Sequence, residues 1–197
     1  MNYPFILIGS THGFIDDFLK QKEVIELIKP EFVLCEELED LALDSGEKFE
    51  ELFQKRKISN MTSFDEVEKL IKFCSDKNIK LIGIDFHNLR FDNYLQEKIK
   101  NQEKLTKEEE EKLDKIIELR EKRHLDKILE YKKKTSSPII VILGCWHLRE
   151  ESLLRKKLKN YKLILPCDEK DKPLFAPDKK REIKYIEIVS NDIKTKD

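Results

Sequence analysis

The sequence predicts an α/β fold in which helices cover both faces of a central sheet that is mixed but mostly parallel. Short apolar runs of strand length recur between breaking residues, and helical patterns follow them. The runs are almost continuously apolar, as is typical of strands buried on both faces of a parallel sheet. A last segment, residues 182–189, alternates apolar and polar side chains, which predicts a C-terminal edge strand. The buried strands are predicted at residues 4–9, 32–35, 80–85, 138–144 and 162–165.

Three helices are predicted between the strands, and two of them have a capping signal. Asp16 or Asp17 can cap the first helix. Ser63 and Glu66 form a capping box at the start of the second. The first two helices are expected to continue to about Lys29 and through Cys74, and the third to cover residues 149–158.

The middle of the chain, residues 94–134, consists almost entirely of helix-forming and charged residues, without Gly or Pro. It predicts either one long helix or a hairpin of two helices that is broken near Thr106, where Glu109 completes a second capping box. This helical insertion can serve as a lid or as a dimer arm. Without an internal repeat or linker, residues 1–197 are expected to form a single domain, with a loop at residues 166–181 and a frayed tail after residue 189.

Composition narrows the class of protein. Of the 197 residues, 39% are hydrophobic, which is enough for one ordinary core, and the formal net charge is −1. A balanced charge gives no electrostatic reason to expect nucleic acid as a partner. Four scattered cysteines without a C-x-x-C pair favour a reducing compartment. No signal peptide or membrane-length apolar run is found, so we expect a cytoplasmic protein without a membrane partner.

Polar residues stand directly after four of the predicted strands. In an open parallel sheet these strand exits share one edge, and ligands bind there. Three of the four histidines of the chain fall at such exits, which makes chance placement a poor explanation. The exit residues are His12 after the first strand, Glu36 and Glu37 after the second, Asp85 and His87 after the third, and Trp146 and His147 after the fourth.

Each of these residues also has a simpler interpretation. A histidine in a loop is most often only a polar loop residue, and two acidic residues after a strand often cap the following helix. Trp146 is expected to serve packing before substrate stacking. The hypothesis of a site therefore rests on the combination of exits.

The long helical segment adds two candidates. On a helical wheel of residues 113–131, Arg120 and His124 lie in the centre of an apolar stripe, whereas Arg123 lies at its edge and is expected to be solvated. A guanidinium on a core-facing stripe is unfavourable unless it meets an anion or a carboxylate. The alternative to a ligand-binding role for Arg120 is a structural ion pair with a carboxylate on a strand. The stripe consists of Leu113, Ile116, Ile117, Ile128 and Tyr131.

These residue types suit water activation on a metal. Two histidines and a glutamate, His12, Glu36 and His147, are good ligands for a divalent transition ion such as Mn, Co or Zn, and three protein ligands leave a position for water. His87 is a further possible ligand. In this hypothesis the catalytic residues are Glu36, with Glu37 or Asp85 as a second carboxylate and base, Arg120 for a substrate carboxylate or an oxyanion, and His124.

The ordered set of motifs resembles a known family. Two G-x-x-H motifs, Gly9 to His12 and Gly144 to His147, bracket a P-x-x-V-x-x-E strand that ends in Glu36, and Arg120 precedes the second histidine. This layout resembles the TraB/Tiki group (PrgY- and GumN-like proteins), within the superfamily that also holds the erythromycin esterases and the ChaN haem-binding proteins.

The resemblance implies an α/β fold with a cleft at the strand ends and, for Tiki-type members, metal-dependent proteolysis with Mn- or Co-like ions. His12, Glu36 and His147 match the family's site positions, and Arg120 matches its arginine. The chain departs from the pattern at His124, where an apolar residue is usual, and at Phe86, where an arginine is usual. The membrane segments of many members are also missing. These departures affect the expected substrate more than the site.

Three functions are compatible with these observations. The first is a metal-dependent hydrolase of peptide, amide or ester bonds, with a small-molecule or peptide substrate. The second is an esterase-like hydrolase in which His and Glu activate water without a metal. The third is a non-enzymatic protein of the ChaN type that binds haem, iron or another small ligand. A homodimer is possible in each case.

Overall fold

The computed structural model describes residues 3–11, 15–56, 65–87, 93–101, 103–175 and 184–190. Short 3₁₀ turns at Glu36–Leu38 and Cys145–Leu148 follow the second and fifth strands. In chain order the elements are β1 (Phe5–Ser10), α1 (Ile15–Ile28), β2 (Phe32–Cys35), β3 (Ala42–Leu43), α2 (Gly46–Arg56), α3 (Asp65–Asp76), β4 (Lys80–Gly83), α4 (Asn93–Lys100), α5 (Lys107–Lys132), β5 (Ile139–Gly144), α6 (Leu153–Lys157), β6 (Tyr161–Cys167) and β7 (Lys184–Val189).

The described strands form one mixed sheet in the order β3-β4-β2-β5-β1-β6-β7. The five inner strands, from β4 to β6 in that order, run parallel to one another. The two edge strands, β3 and β7, pair antiparallel with their neighbours. This arrangement confirms the predicted α/β class, the mostly parallel sheet and the C-terminal edge strand.

Alternating side chains of the strands supply two separate apolar layers, one on each face of the sheet. Ile6 and Ile8 of β1 belong to the layer that includes buried residues of α1, α2 and α3. Phe5 and Leu7 belong to the opposite layer, which includes buried residues of α5 and α6. The prediction that helices cover both faces is therefore confirmed. The five parallel strands are mostly apolar because both of their faces are covered.

The central helical segment breaks where the sequence indicates. Thr106 caps α5: its side chain accepts a hydrogen bond from the backbone of Glu109, whose carboxylate accepts the Thr106 N–H. The helix α5 packs over β5 and buries the row Ile117, Glu121, His124 and Ile128. Of the two expected forms, the segment therefore takes the two-helix form, and α5 belongs to the helical layer on one face of the sheet.

Two elements, β3 and α2, were not predicted, and the helix expected at residues 149–158 is shorter. A 3₁₀ turn follows β5 first, and α6 begins only after Ser152, whose hydroxyl accepts a hydrogen bond from the Arg155 N–H. Ser63 and residues 191–197 lie outside the described residues. Within the part of the chain that the structure describes, no helix is both long and apolar enough to cross a membrane.

Candidate functional site

Three neighbouring strands of the sheet end in polar residues at the same edge. In the order β4-β2-β5, the exits carry Asp85, Glu36 and His147, and the middle of α5 lies over them with Arg120 and His124. The structure thus brings together five side chains that sequence reasoning selected from four distant segments. Their chemical roles stay predictions.

Glu36 is the buried carboxylate at the centre of this group. It is only 5% exposed, and its Oε2 accepts the Gly144 N–H at 2.7 Å, while its Oε1 lies 2.5 Å from Arg120 Nη2. The glycine of the second G-x-x-H motif therefore contributes its backbone amide to the site. Burial alone would raise the pKa of Glu36, but His147 and Arg120 hold it well below its usual value. Glu36 is consequently a carboxylate with both oxygens fixed.

Arg120 joins Glu36 to a second buried carboxylate, that of Asp85. Its Nε donates to Asp85 Oδ2 at 2.8 Å, and its Nη2 contacts the same oxygen. Asp85 Oδ1 also accepts the Phe86 N–H at 2.8 Å. The ion pair that sequence analysis kept as the alternative for Arg120 is thus present. A role of Arg120 in holding a substrate anion stays a prediction.

His147 lies between two carboxylates. Its Nε2 is 3.5 Å from Glu36 Oε1, and its Nδ1 is 3.5 Å from Glu121 Oε1, both at the outer limit of a hydrogen bond. Burial by itself would lower the pKa of His147, but the two carboxylates outweigh burial and raise it to about 9. The imidazole is therefore a cation at neutral pH in the metal-free protein.

His124 is completely buried and stands edge-on to His147, with ring centroids 5.0 Å apart. Its Nε2 lies 3.4 Å from Asp85 Oδ1, and neither of its ring nitrogens makes a hydrogen bond of normal geometry. Burial lowers the pKa of His124 more than the nearby carboxylates raise it. The two neighbouring histidines therefore differ in charge at neutral pH: His124 is neutral and His147 is protonated.

Sequence analysis missed one member of the cluster, Glu121. This carboxylate is 3% exposed; its Oε1 accepts from Arg149 Nη1 at 2.5 Å and its Oε2 accepts the Leu153 N–H at 2.7 Å. Glu121 lies four residues after Ile117 and three before His124, so it shares their helix face. That spacing could have predicted that Glu121 is buried, but the many charged residues around it made a solvated carboxylate the simpler expectation.

His12 itself lies outside the described residues. The described residues before it reach Thr11, and Ser10 at the end of β1 is the Cα partner of Gly144 at the end of β5. Thr11 follows, and both its N–H and its hydroxyl donate to the buried Asp17, at 2.5 and 2.7 Å. Asp17, which was expected only to cap α1, thus fixes the exit of the first strand.

Other candidates lie at the margin of the group. His87 is exposed, with its Nδ1 2.7 Å from Glu39 Oε2, and Glu37 is half-buried. Arg123, expected to be solvated, is half-buried, with its guanidinium 5.4 Å from the ring centre of Phe86. Trp146, expected to be packed, is 51% exposed and stacks under the guanidinium of Arg149.

The separation of Glu36 Oε1 and His147 Nε2, 3.5 Å, is what two ligands of one transition ion show at bonds near 2 Å. Within the described residues, however, no three His, Cys, Asp or Glu side chains are arranged to hold a metal ion. Two of the three predicted ligands therefore have a suitable spacing, and the third, His12, is the one that the structure does not describe.

The fold resembles that of a solved structure described as cofacial heme binding to ChaN of Campylobacter jejuni. The two chains are 12% identical, with a TM-score of 0.55, over 95% of this chain and 88% of that chain. No protein-family model matches the chain, and no curated protein matches its sequence. At this identity the likeness shows the fold alone. The expected likeness to the ChaN fold is confirmed, while membership of the TraB/Tiki group stays a prediction.

Proposed function

We propose that the cluster at the strand exits is a hydrolytic site that cleaves a peptide, amide or ester bond, with water activated between Glu36 and His147. The observation that carries this proposal is the contact between these two buried, oppositely charged side chains, 3.5 Å apart at the edge of the sheet where ligands bind. Burying ionised groups is unfavourable, and clusters of perturbed groups in such positions are often functional.

The neighbouring residues provide the remaining parts of a hydrolytic scheme. The Gly144 N–H and Arg120 hold the carboxylate of Glu36 in one orientation, and His147 can deliver a proton to a leaving group. Arg120 is half-buried and cationic, so it can stabilise the oxyanion of a tetrahedral intermediate or bind a substrate carboxylate. Asp85 is bound to Arg120 and supports it, which leaves Glu37 as the other candidate for a second base.

In this proposal His12, Glu36 and His147 hold a divalent ion such as Mn, Co or Zn. When bound, such an ion lowers the pKa of its water and makes hydroxide available near neutral pH. The spacing of Glu36 and His147 supports the ion, while the contact of Arg120 with Glu36 supports the alternative in which the two side chains act without a metal. Both forms are hydrolases and use Glu36 and His147.

A second candidate is a non-enzymatic protein that binds haem or another planar ligand. It is favoured by the structural similarity to a haem-binding ChaN protein and by the half-exposed indole of Trp146, directly before His147. An exposed aromatic face can stack against a planar ligand, and a neutral histidine can ligate iron.

The test combines a metal inventory with assays on panels of p-nitrophenyl esters and fluorogenic peptides. We expect turnover by the parent protein, loss of turnover in Glu36→Gln and His147→Gln, and retained turnover in Arg123→Lys. Loss on treatment with EDTA and recovery with Mn²⁺, Co²⁺ or Zn²⁺ would identify the metal-dependent form. No turnover on either panel, together with a Soret band that saturates on haem titration and is lost in His147→Gln, would favour the binding protein.

A further inference from the structure

The turn at residues 38–41, directly after the 3₁₀ turn that carries Glu36, contains a strained residue. The N–H of Leu41 donates to the Leu38 carbonyl at 3.0 Å, which closes the turn. Between them, Glu39 has φ 52° and ψ −118°, the angles of the first central residue of a type II′ turn. Glycine dominates this position because a Cβ is unfavourable at positive φ. The backbone is therefore strained directly beside the candidate site.

Glu39 connects two strand exits through its own backbone. Its N–H donates to the Glu36 carbonyl at 2.9 Å, and its carbonyl accepts the Asp85 N–H at 2.9 Å. The φ and ψ of a residue fix the direction of its N–H relative to its C=O, so a large change of either angle breaks at least one of these hydrogen bonds. Gly83 permits the close approach, since a Cβ there would collide with the Leu38 and Glu39 carbonyl oxygens. A backbone link thus joins the end of β2 to the end of β4.

This link opposes the repulsion between two buried carboxylates. Oε1 of Glu36 and Oδ2 of Asp85 both contact Nη2 of Arg120, so two negative charges lie close together around one guanidinium. Like charges this close repel each other, and burial strengthens the repulsion. Arg120 offsets it, but in the proposed function the same guanidinium also stabilises an oxyanion or binds a substrate carboxylate. A backbone link carries no net charge and holds the two exits together in either case.

We propose that Glu39 is a positioning residue that acts through its backbone, and that its strained turn holds the carboxylates of Glu36 and Asp85 within reach of one arginine. Substitutions at position 39 should therefore rank by how well each residue tolerates a positive φ, and not by its charge or size. The effect on turnover rests on the proposed function, whereas the spacing of the two exits does not.

Two substitutions separate the backbone role from the side chain. Glu39→Gly and Glu39→Val both remove the carboxylate, which lies 2.7 Å from His87 Nδ1. Only glycine adopts a positive φ readily, and the β-branched side chain of valine strongly disfavours it. Lys29→Val is the matched control, because Lys29 also has a positive φ, 49°, but lies between α1 and β2 at the opposite edge of the sheet.

The measurement is hydrogen exchange by NMR in the metal-free full chain, relative to the amides of β5. It follows the Asp85 amide and the Nε–H of Arg120, which donates to Asp85 Oδ2 at 2.8 Å. In Glu39→Val we expect both relative rates to rise by roughly tenfold or more, because the hydrogen bond between Asp85 and the turn opens. In Glu39→Gly and in Lys29→Val we expect them to be unchanged. Relief of strain should also lower the unfolding equilibrium constant of Glu39→Gly by roughly tenfold.

Unchanged relative exchange in Glu39→Val would overturn the proposal, as would an equal rise in Lys29→Val or a Glu39→Gly variant less stable than the parent protein. If Glu39→Val does not fold, Glu39→Ala decides in its place. Alanine also disfavours a positive φ, though less than valine, so a smaller rise of the same two rates is expected, and unchanged rates would contradict the proposal.

The hydrolysis assay then connects the spacing to turnover. Glu39→Val should lower kcat with little change in KM, whereas Lys29→Val should keep both values of the parent protein. An unchanged kcat of Glu39→Val in a protein that hydrolyses its substrate would contradict the positioning role. Absence of turnover in every variant, the parent protein included, would refute the proposed function alone, because hydrogen exchange tests the link between the exits without a substrate.

Discussion

The charge of His147 makes a quantitative prediction about the stability of the metal-free protein. Its pKa rises from 6.5 to about 9, because the carboxylates of Glu121 and Glu36 outweigh the effect of burial. At 1.36 kcal/mol per pKa unit, this shift corresponds to roughly 3 kcal/mol. A raised pKa means that the folded state binds the proton more tightly than the unfolded state. The stabilisation is therefore fully present below pH 6.5 and is lost as the pH rises through about 9.

The assay is urea unfolding between about pH 6 and 10 in EDTA, for the parent protein and for His147→Gln. The difference in the free energy of unfolding between the two should shrink by roughly 3 kcal/mol over that range, while other titrating groups cancel. His87→Gln, at an exposed position, controls for the loss of a histidine as such. A difference that stays constant from pH 6.5 to 9.5 would refute the assignment of an imidazolium between two carboxylates.

Three further predictions concern single substitutions. Arg120→Lys keeps the charge but loses the planar group that joins Glu36 to Asp85. It should lower the free energy of unfolding, measured in urea, by about 1–3 kcal/mol and reduce turnover in the hydrolysis assay. The control Arg123→Lys should change the free energy of unfolding by less than about 1 kcal/mol. Gly83→Ala should cost about 3 kcal/mol or more in thermal unfolding, because a Cβ there would meet the backbone oxygen of Glu39, whereas Gly46→Ala meets open space and should be nearly neutral. The lowered pKa of Glu36 implies stabilisation of the folded state that is present above pH 4.5 and is lost as the pH falls through the folded-state pKa. The stability of Glu36→Gln should therefore depend less on pH in the acid range, as measured by circular dichroism.

The sheet could be predicted from the sequence because each buried strand is covered on both faces. A continuous apolar run then identifies the strand, as it does for Phe32–Cys35 and Ile139–Gly144. The two-residue β3 gives no such pattern, since only Leu43 of this edge strand is buried. The helix Gly46–Arg56 was missed for a related reason: its stretch is largely charged, and of its three core-facing apolar side chains Phe49 is buried while Leu52 and Phe53 are only partly buried.

The site could be predicted only where position in the topology decides the outcome. Glu36 and Asp85 meet because parallel strands end at one edge, and the helical wheel places Arg120 toward them. The burial of Glu121 depends instead on partners 28 and 32 residues away, Arg149 and the Leu153 amide, which no local pattern reveals. A carboxylate in a charged stretch is expected to be solvated until its partners are known.

The balance of charge in the cluster explains why its members depend on one another. Three buried carboxylates, those of Glu36, Asp85 and Glu121, face the guanidinium groups of Arg120 and Arg149 and the imidazolium of His147. An ion bound by Glu36 and His147 would have to displace the imidazole proton, because a histidine ligates a metal only as a neutral ring. Binding of a divalent ion would then add one unit of positive charge to the cluster instead of two, because one proton leaves. The apparent affinity for metal would therefore rise with pH. Metal binding that is independent of pH up to about 9 would thus be incompatible with His147 as a ligand, and would leave the hydrolytic proposal with its metal-free form.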